Sequence, residues 1–139
     1  MKKAPLLFII AASLLLISIQ VFAHHGDAGR YEENVTVLTG TVVEVQLVDP
    51  HSMVILDVPN DKGQMVRWQA ELGGRNALAK NFGWNKTTLK PGDKITVVGR
   101  RVKSGAPYIN LTEMAKIVMA DTGKEIFHTN NALPGLNLH

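Results

Sequence analysis

Gly40-Thr-Val-Val-Glu-Val-Gln-Leu-Val-Asp-Pro-His-Ser-Met-Val-Ile-Leu-Asp-Val58 holds two apolar runs on either side of a single proline. It reads as two β-strands meeting at a corner. In the first arm Thr41, Val43, Val45 and Leu47 fall on one face and Glu44 and Gln46 on the other, the period-2 pattern of a half-buried strand. Pro50 has no N–H to donate and holds Asp49 extended, so pairing breaks at Asp49-Pro50-His51. The second arm, Met53 to Val58, is apolar on both faces and is expected inside a sheet rather than at its edge. His51 then stands at the corner, where a ligand could reach it.

Working outward, the first strand is expected over Val35 to Val48, with a bend or bulge at Gly40. A turn at Pro59-Asn-Asp-Lys-Gly63 leads to a third strand, Gln64 to Leu72. There Val66, Trp68, Ala70 and Leu72 face one way and Met65, Arg67, Gln69 and Glu71 the other. Gly73-Gly74 stops it. Arg75 to Phe82 reads as a short helix with Leu78 and Phe82 on one face, ended by Gly83. Lys90-Pro-Gly-Asp93 turns into a fourth strand, Lys94 to Val102. A long fifth strand runs from Tyr108 to Met119, its alternation slipping near Glu113 to Ala115 as a bulge would make it. Glu125 to His128 reads as a short sixth strand.

Strand, strand, strand, short helix, strand, strand, with a first strand long enough to pair twice, is the order of the OB-fold. The expected fold class is all-β with one short helix, a five-stranded Greek-key barrel. An open β-sandwich shares much of this pattern. Barrel closure would hide the strand edges. Trp84 and Phe82 are placed to plug one end, and burying each large aromatic contributes about 2–3 kcal/mol.

The 139 residues suffice for one domain. Lys2 and Lys3, the apolar run Leu6 to Ile19 and the small-residue site Val21-Phe-Ala23 make residues 1–23 a cleavable signal peptide. The apolar run is short for a membrane span, which needs about 20 residues. The expected layout is a signal peptide (1–23), a flexible arm (24–34), the barrel (35–128) and a loose tail (129–139). The expected location is the periplasm, with membrane contact only during export. Removing residues 1–23 takes Lys2 and Lys3 from the 15 basic residues and none of the 12 acidic ones, so the mature chain is nearly neutral. With few exposed aromatics, that argues against nucleic acid as a partner. The chain has no cysteine, so thiolate metal sites are excluded and the core must hold without disulfides.

Several motifs together resemble the DUF6152 family of small exported bacterial proteins of unknown function. They are Ala23-His24-His25, Leu38-Thr-Gly-Thr-Val42, Asp49-Pro50-His51-Ser52, Trp68, Gly73-Gly74 through Leu78, and Pro91-Gly92-Asp93 before Ile95. The resemblance covers most of residues 23–126. Family members typically carry Asn-Pro-His where this chain has Asp-Pro-His, and Ser-Phe where it has Gly26-Asp27. It implies an exported OB-like domain and brings no activity or catalytic residue with it.

Two candidate sites follow from the residues. Cleavage after Ala23 would make His24 the first residue, offering an α-amine and a ring nitrogen to one metal ion, with His25 and His51 completing the set. Nitrogen donors without sulfur suit Cu(II), and Asp49 could add an oxygen or orient the His51 ring. In the plainer reading His24 and His25 only favour cleavage, and His51 is buried and neutral at the corner. The second candidate is the OB-fold face of strands two and three with its flanking loops. There Asp49, His51, Arg67, Gln69 and Tyr108 could receive a peptide, glycan or small anion. Its plainer reading makes Arg67 and Gln69 an ordinary wet face. Ser52 beside His51 lies on the opposite strand face, so it gains no base from that neighbour. With no nucleophile elbow, phosphate loop or His-Glu-x-x-His motif, the expectation is a non-enzymatic protein that binds a small ligand, a metal or a periplasmic protein.

Overall fold

A computed structural model describes residues 29–131. Two compact units divide the chain, residues 1–31 and 32–139. In the first, the Arg30 guanidinium lies 5.5 Å from the centroid of the Tyr31 ring. The expected signal peptide, His24 and His25, and tail residues 132–139 lie outside the described residues.

The second unit contains β1 (Thr36–Gln46), β2 (Met53–Pro59), β3 (Met65–Glu71), α1 (Arg75–Phe82), β4 (Lys94–Arg101), β5 (Tyr108–Asn110), β6 (Lys116–Met119) and β7 (Glu125–His128). β1 runs antiparallel to β2 and to β4, β2 antiparallel to β3, β3 parallel to β5, and β5 antiparallel to β4. That ring of pairings closes a five-stranded, OB-fold-like barrel, and the β6–β7 hairpin extends the sheet from β4.

β1 serves two neighbours by bending. Thr36–Thr41 pair with β4 and Thr41–Gln46 with β2. Gly40 sits at the changeover, where a Cβ would come within 2.7 Å of both the Asp57 carbonyl oxygen and Val58 Cγ2. Only a residue without a side chain lets β1 cross β2 so closely. The expected alternation along β1 is corrected here. Thr41 is exposed and Val42 is buried in the core. Val42 pairs with Leu56 and Glu44 with Ile55, so Val43 is the additional residue of a β-bulge. The inward set is Gly40 and Val42 before the bulge and Val45 and Leu47 after it. Adjacent valines at 42 and 43 conceal the change of phase from any pattern reading.

The expected long fifth strand is divided. Arg100 pairs with Asn110 and Val98 with Lys116, so residues 111–115 lie between β5 and β6 opposite Gly99 alone, with Met114 at φ 48°. The excursion falls at the slip in alternation. β3 alternates as expected, with Trp68, Ala70 and Leu72 buried. Inside, Val54, Leu56, Trp68, Ala70, Ile95, Val97, Ile109 and Ile117 form one cluster. Trp84 and Phe82 close one end together with Phe127. The Phe82 and Phe127 rings are 5.0 Å apart, and Trp84 Nε1–H donates to the Ile126 carbonyl at 2.8 Å. Glu32 N–H donates to the Arg101 carbonyl, and Thr129 N–H to that of Ala115, fastening the chain just outside the strands.

Candidate functional site

The β1–β2 corner is built against the start of α1. Ser52 is fully buried, and its hydroxyl donates to the Val48 carbonyl at 3.1 Å. Its N–H donates to the Gly73 carbonyl, and its own carbonyl accepts from Leu72 N–H. The first helical N–H groups have no partner within a helix and must find one outside it. Here Arg75 N–H donates to the Val48 carbonyl at 3.0 Å, and Asn76 N–H to Asp49 Oδ1 at 3.2 Å. Gly74 makes this possible, because a Cβ there would lie 2.4 Å from Asp49 Oδ1. The Asp49–Pro50 peptide is cis. With Ser52 anchored inward, its neighbour His51 points outward, 56% exposed.

His51 Nδ1 lies 3.2 Å from Glu71 Oε1. The Tyr108 hydroxyl donates to Glu71 Oε2. One carboxylate, only 16% exposed, thus binds the β1–β2 corner and the start of β5 to the end of β3. The backbone reinforces the junction: Gln69 N–H donates to the Pro107 carbonyl and Leu111 N–H to that of Glu71. Tyr108 pairs directly with Gln69.

Register fixes the rest of the outer face. One row is Gln46–Met53–Glu71, the next Glu44–Ile55–Gln69–Tyr108, and the third Thr41–Asp57–Arg67. Met53 and Ile55 are half-buried in the middle. Arg67 Nε and a terminal guanidinium nitrogen donate to the two Asp57 oxygens at 3.0 and 3.1 Å. The hydrogen bonds from Arg67, aided by its charge, hold the Asp57 carboxyl below the usual carboxylate range. Gln46 Nε2–H donates to Glu44 Oε1 at 2.8 Å.

The structure therefore brings His51, Tyr108 and Gln69 together and sets Arg67 one row away, its charge balanced by Asp57. Asp49 is spent on the helix start, and the carboxylate beside the His51 ring belongs to Glu71. Reading the sequence misses Glu71 as a site residue, since a charge near a strand end is usually just solvated. The available signal is its place two residues beyond Gln69 on the same outward face. No group of three or more His, Cys, Asp or Glu side chains able to hold a metal occurs among the described residues. Nor is any helix among them long and apolar enough to cross a membrane. A recess of about 290 Å³ lies elsewhere, between α1 and β7 near Leu78, Phe82 and Phe127.

The model of a protein family, a family of unknown function (DUF6152), matches residues 12–108. That range contains the corner, all of β1 to β4 and Tyr108, the first residue of β5. No curated protein and no solved structure matches the chain.

Proposed function

This chain belongs to DUF6152, a family of unknown function, and we propose that it acts as an exported, non-enzymatic binding module. Its binding surface is the outer β2–β3 face, with the His51–Glu71–Tyr108 mouth at one end. The observation that carries the reading is the shared carboxylate. OB-folds take ligands on this face, between the loops joining strands one and two and strands four and five. Here the residues at those two places, His51 and Tyr108, are fixed to the same side chain. Such fixing costs nothing further when a ligand arrives, the condition for a preorganised site. The export reading rests on Lys2, Lys3, the apolar run and Val21-Phe-Ala23.

A photo-crosslinking residue at position 69 tests the surface. In cells exporting the protein it is expected to give a discrete adduct that Tyr108→Ala or Arg67→Ala diminishes. The same probe at Thr39, on the far side of the barrel, is expected to give none. Equal adducts from both positions would defeat the reading.

A second reading has its own observation. Nδ1 of the largely exposed His51 ring lies beside Glu71, the arrangement by which a carboxylate orients a metal-binding imidazole. Cu(II) would then be held by the amine and ring of His24 with His25, and His51 is a donor to be tested in its own right. Processed protein is expected to bind Cu(II) in a competitive titration and to lose that binding when one residue is added before His24. Mass spectrometry of protein taken from its own compartment reports the first residue and any retained metal together. Binding indifferent to both the added residue and His51→Ala would remove copper from consideration.

A further inference from the structure

The outer face has an uneven charge that narrows its ligand. On β1, β2 and β3 it carries Glu44, Asp57 and Glu71 against Arg67, with Lys94 of β4 beside Thr41 at its margin. Arg67 is committed to Asp57 through two hydrogen bonds. Glu71 meets His51 and Tyr108, and Glu44 meets Gln46, and neither carboxylate has a lysine or arginine within ion-pair distance among the described residues. Glu44 and Glu71 thus carry charge that no lysine or arginine meets among the described residues. They stand on opposite sides of the half-buried Met53 and Ile55, Glu44 on β1 and Glu71 on β3.

Spacing follows from register. Glu44 and Glu71 are two strands apart and offset by one row. With strands about 4.8 Å apart and alternate residues about 6.8 Å apart, their Cα atoms lie about 12 Å from one another. In an extended chain, residues i and i+4 point the same way at about 13.6 Å, with i+2 between them. A segment reading basic, any, apolar, any, basic would therefore lay its two cations near Glu44 and Glu71 and its apolar side chain on Met53 and Ile55. Methionine suits such a contact, since its flexible thioether adapts to different apolar surfaces.

Resting on the binding reading above, we infer that this face receives an extended peptide segment with two basic residues flanking an apolar one at alternate positions. A small molecule is disfavoured, because small ligands need a concave site that buries most of their surface. Three recesses among the described residues are lined by other residues. A strip of paired strands with charges at its two margins is a surface for a chain.

The test uses full-length processed protein and three capped peptides: Lys-Ser-Leu-Ser-Lys, its charge-reversed Glu-Ser-Leu-Ser-Glu, and Lys-Ser-Ser-Ser-Lys. Amide shifts are followed during each NMR titration. The first peptide is expected to move Gln46, Ile55, Gln69 and Tyr108 saturably, and more weakly as salt rises. The second is expected to leave them in place, and the third to bind several-fold more weakly for want of the leucine. Glu44→Gln is expected to weaken the first peptide about threefold, the scale of one exposed charge pair. If the charge-reversed peptide moves the same residues as strongly, or Glu44→Gln changes nothing, the basic preference is overturned while the binding face stands. If no peptide moves these residues, or the shifts map elsewhere, both fall.

Discussion

Glu71 shows how much one side chain can organise. Its two oxygens answer two different segments, the His51 ring and the Tyr108 hydroxyl, and its partial burial keeps both contacts from being diluted by water. Asp49 works beside it on the backbone, accepting the Asn76 N–H that α1 leaves over. Losing a helix-capping carboxylate costs about 1 kcal/mol. Asp49→Ala is therefore expected to lower stability by about that much, and Asp49→Asn by less, in denaturant melts. The alanine variant is also expected to broaden the His51 ring signals, since the corner loses its hold on the helix. Two variants melting alike would show that the carboxylate does not fasten the corner. The position of His51 was legible from Pro50, but its partner was not. Glu71 is 20 residues away in the chain, and only closure of β3 onto the corner brings it near.

At the scale of elements, β1 carries the most information. Its alternation announced a strand and Gly40 announced the bend, yet the bulge at Val43 reversed which residues face inward before it. The β6–β7 hairpin has a different economy. Burial pushes the Glu125 carboxyl up, but Lys116 Nζ at 3.1 Å and His128 Nδ1 at 2.7 Å more than offset that and leave it below its ordinary value. A carboxyl lowered in the folded state adds stability above its unfolded value, and that stability is lost as pH falls through the folded one. Glu125→Gln is thus expected to melt earlier at neutral pH. The deficit is expected to stay under about 1 kcal/mol, because the pair is well exposed. Melts taken from pH 7 down to about 3 check the sign. The gap should close in acid, and a gap that widens there would contradict the assignment.

Across the whole molecule, closure is the event that assembles the candidate site. β3 and β5 are distant in sequence and pair in parallel, and that pairing sets Tyr108 beside Gln69 and within reach of Glu71. Trp84, Phe82 and Phe127 close one end of the same barrel without a disulfide. By itself the sequence determined the order of strands and helix, the corner at Pro50, the helix from Arg75 to Phe82, the inward face of β3 and the outward one with Arg67 and Gln69. Each of these is written in periodicity, or in residues that restrict their own backbone, and so needs no distant partner. Contacts between distant segments set the phase of β1, the break between β5 and β6, the diversion of Asp49 to the helix and the meeting of His51, Glu71 and Tyr108. Those depend on which strand lies beside which, and a local pattern of apolar and polar residues is the same whoever the neighbour is.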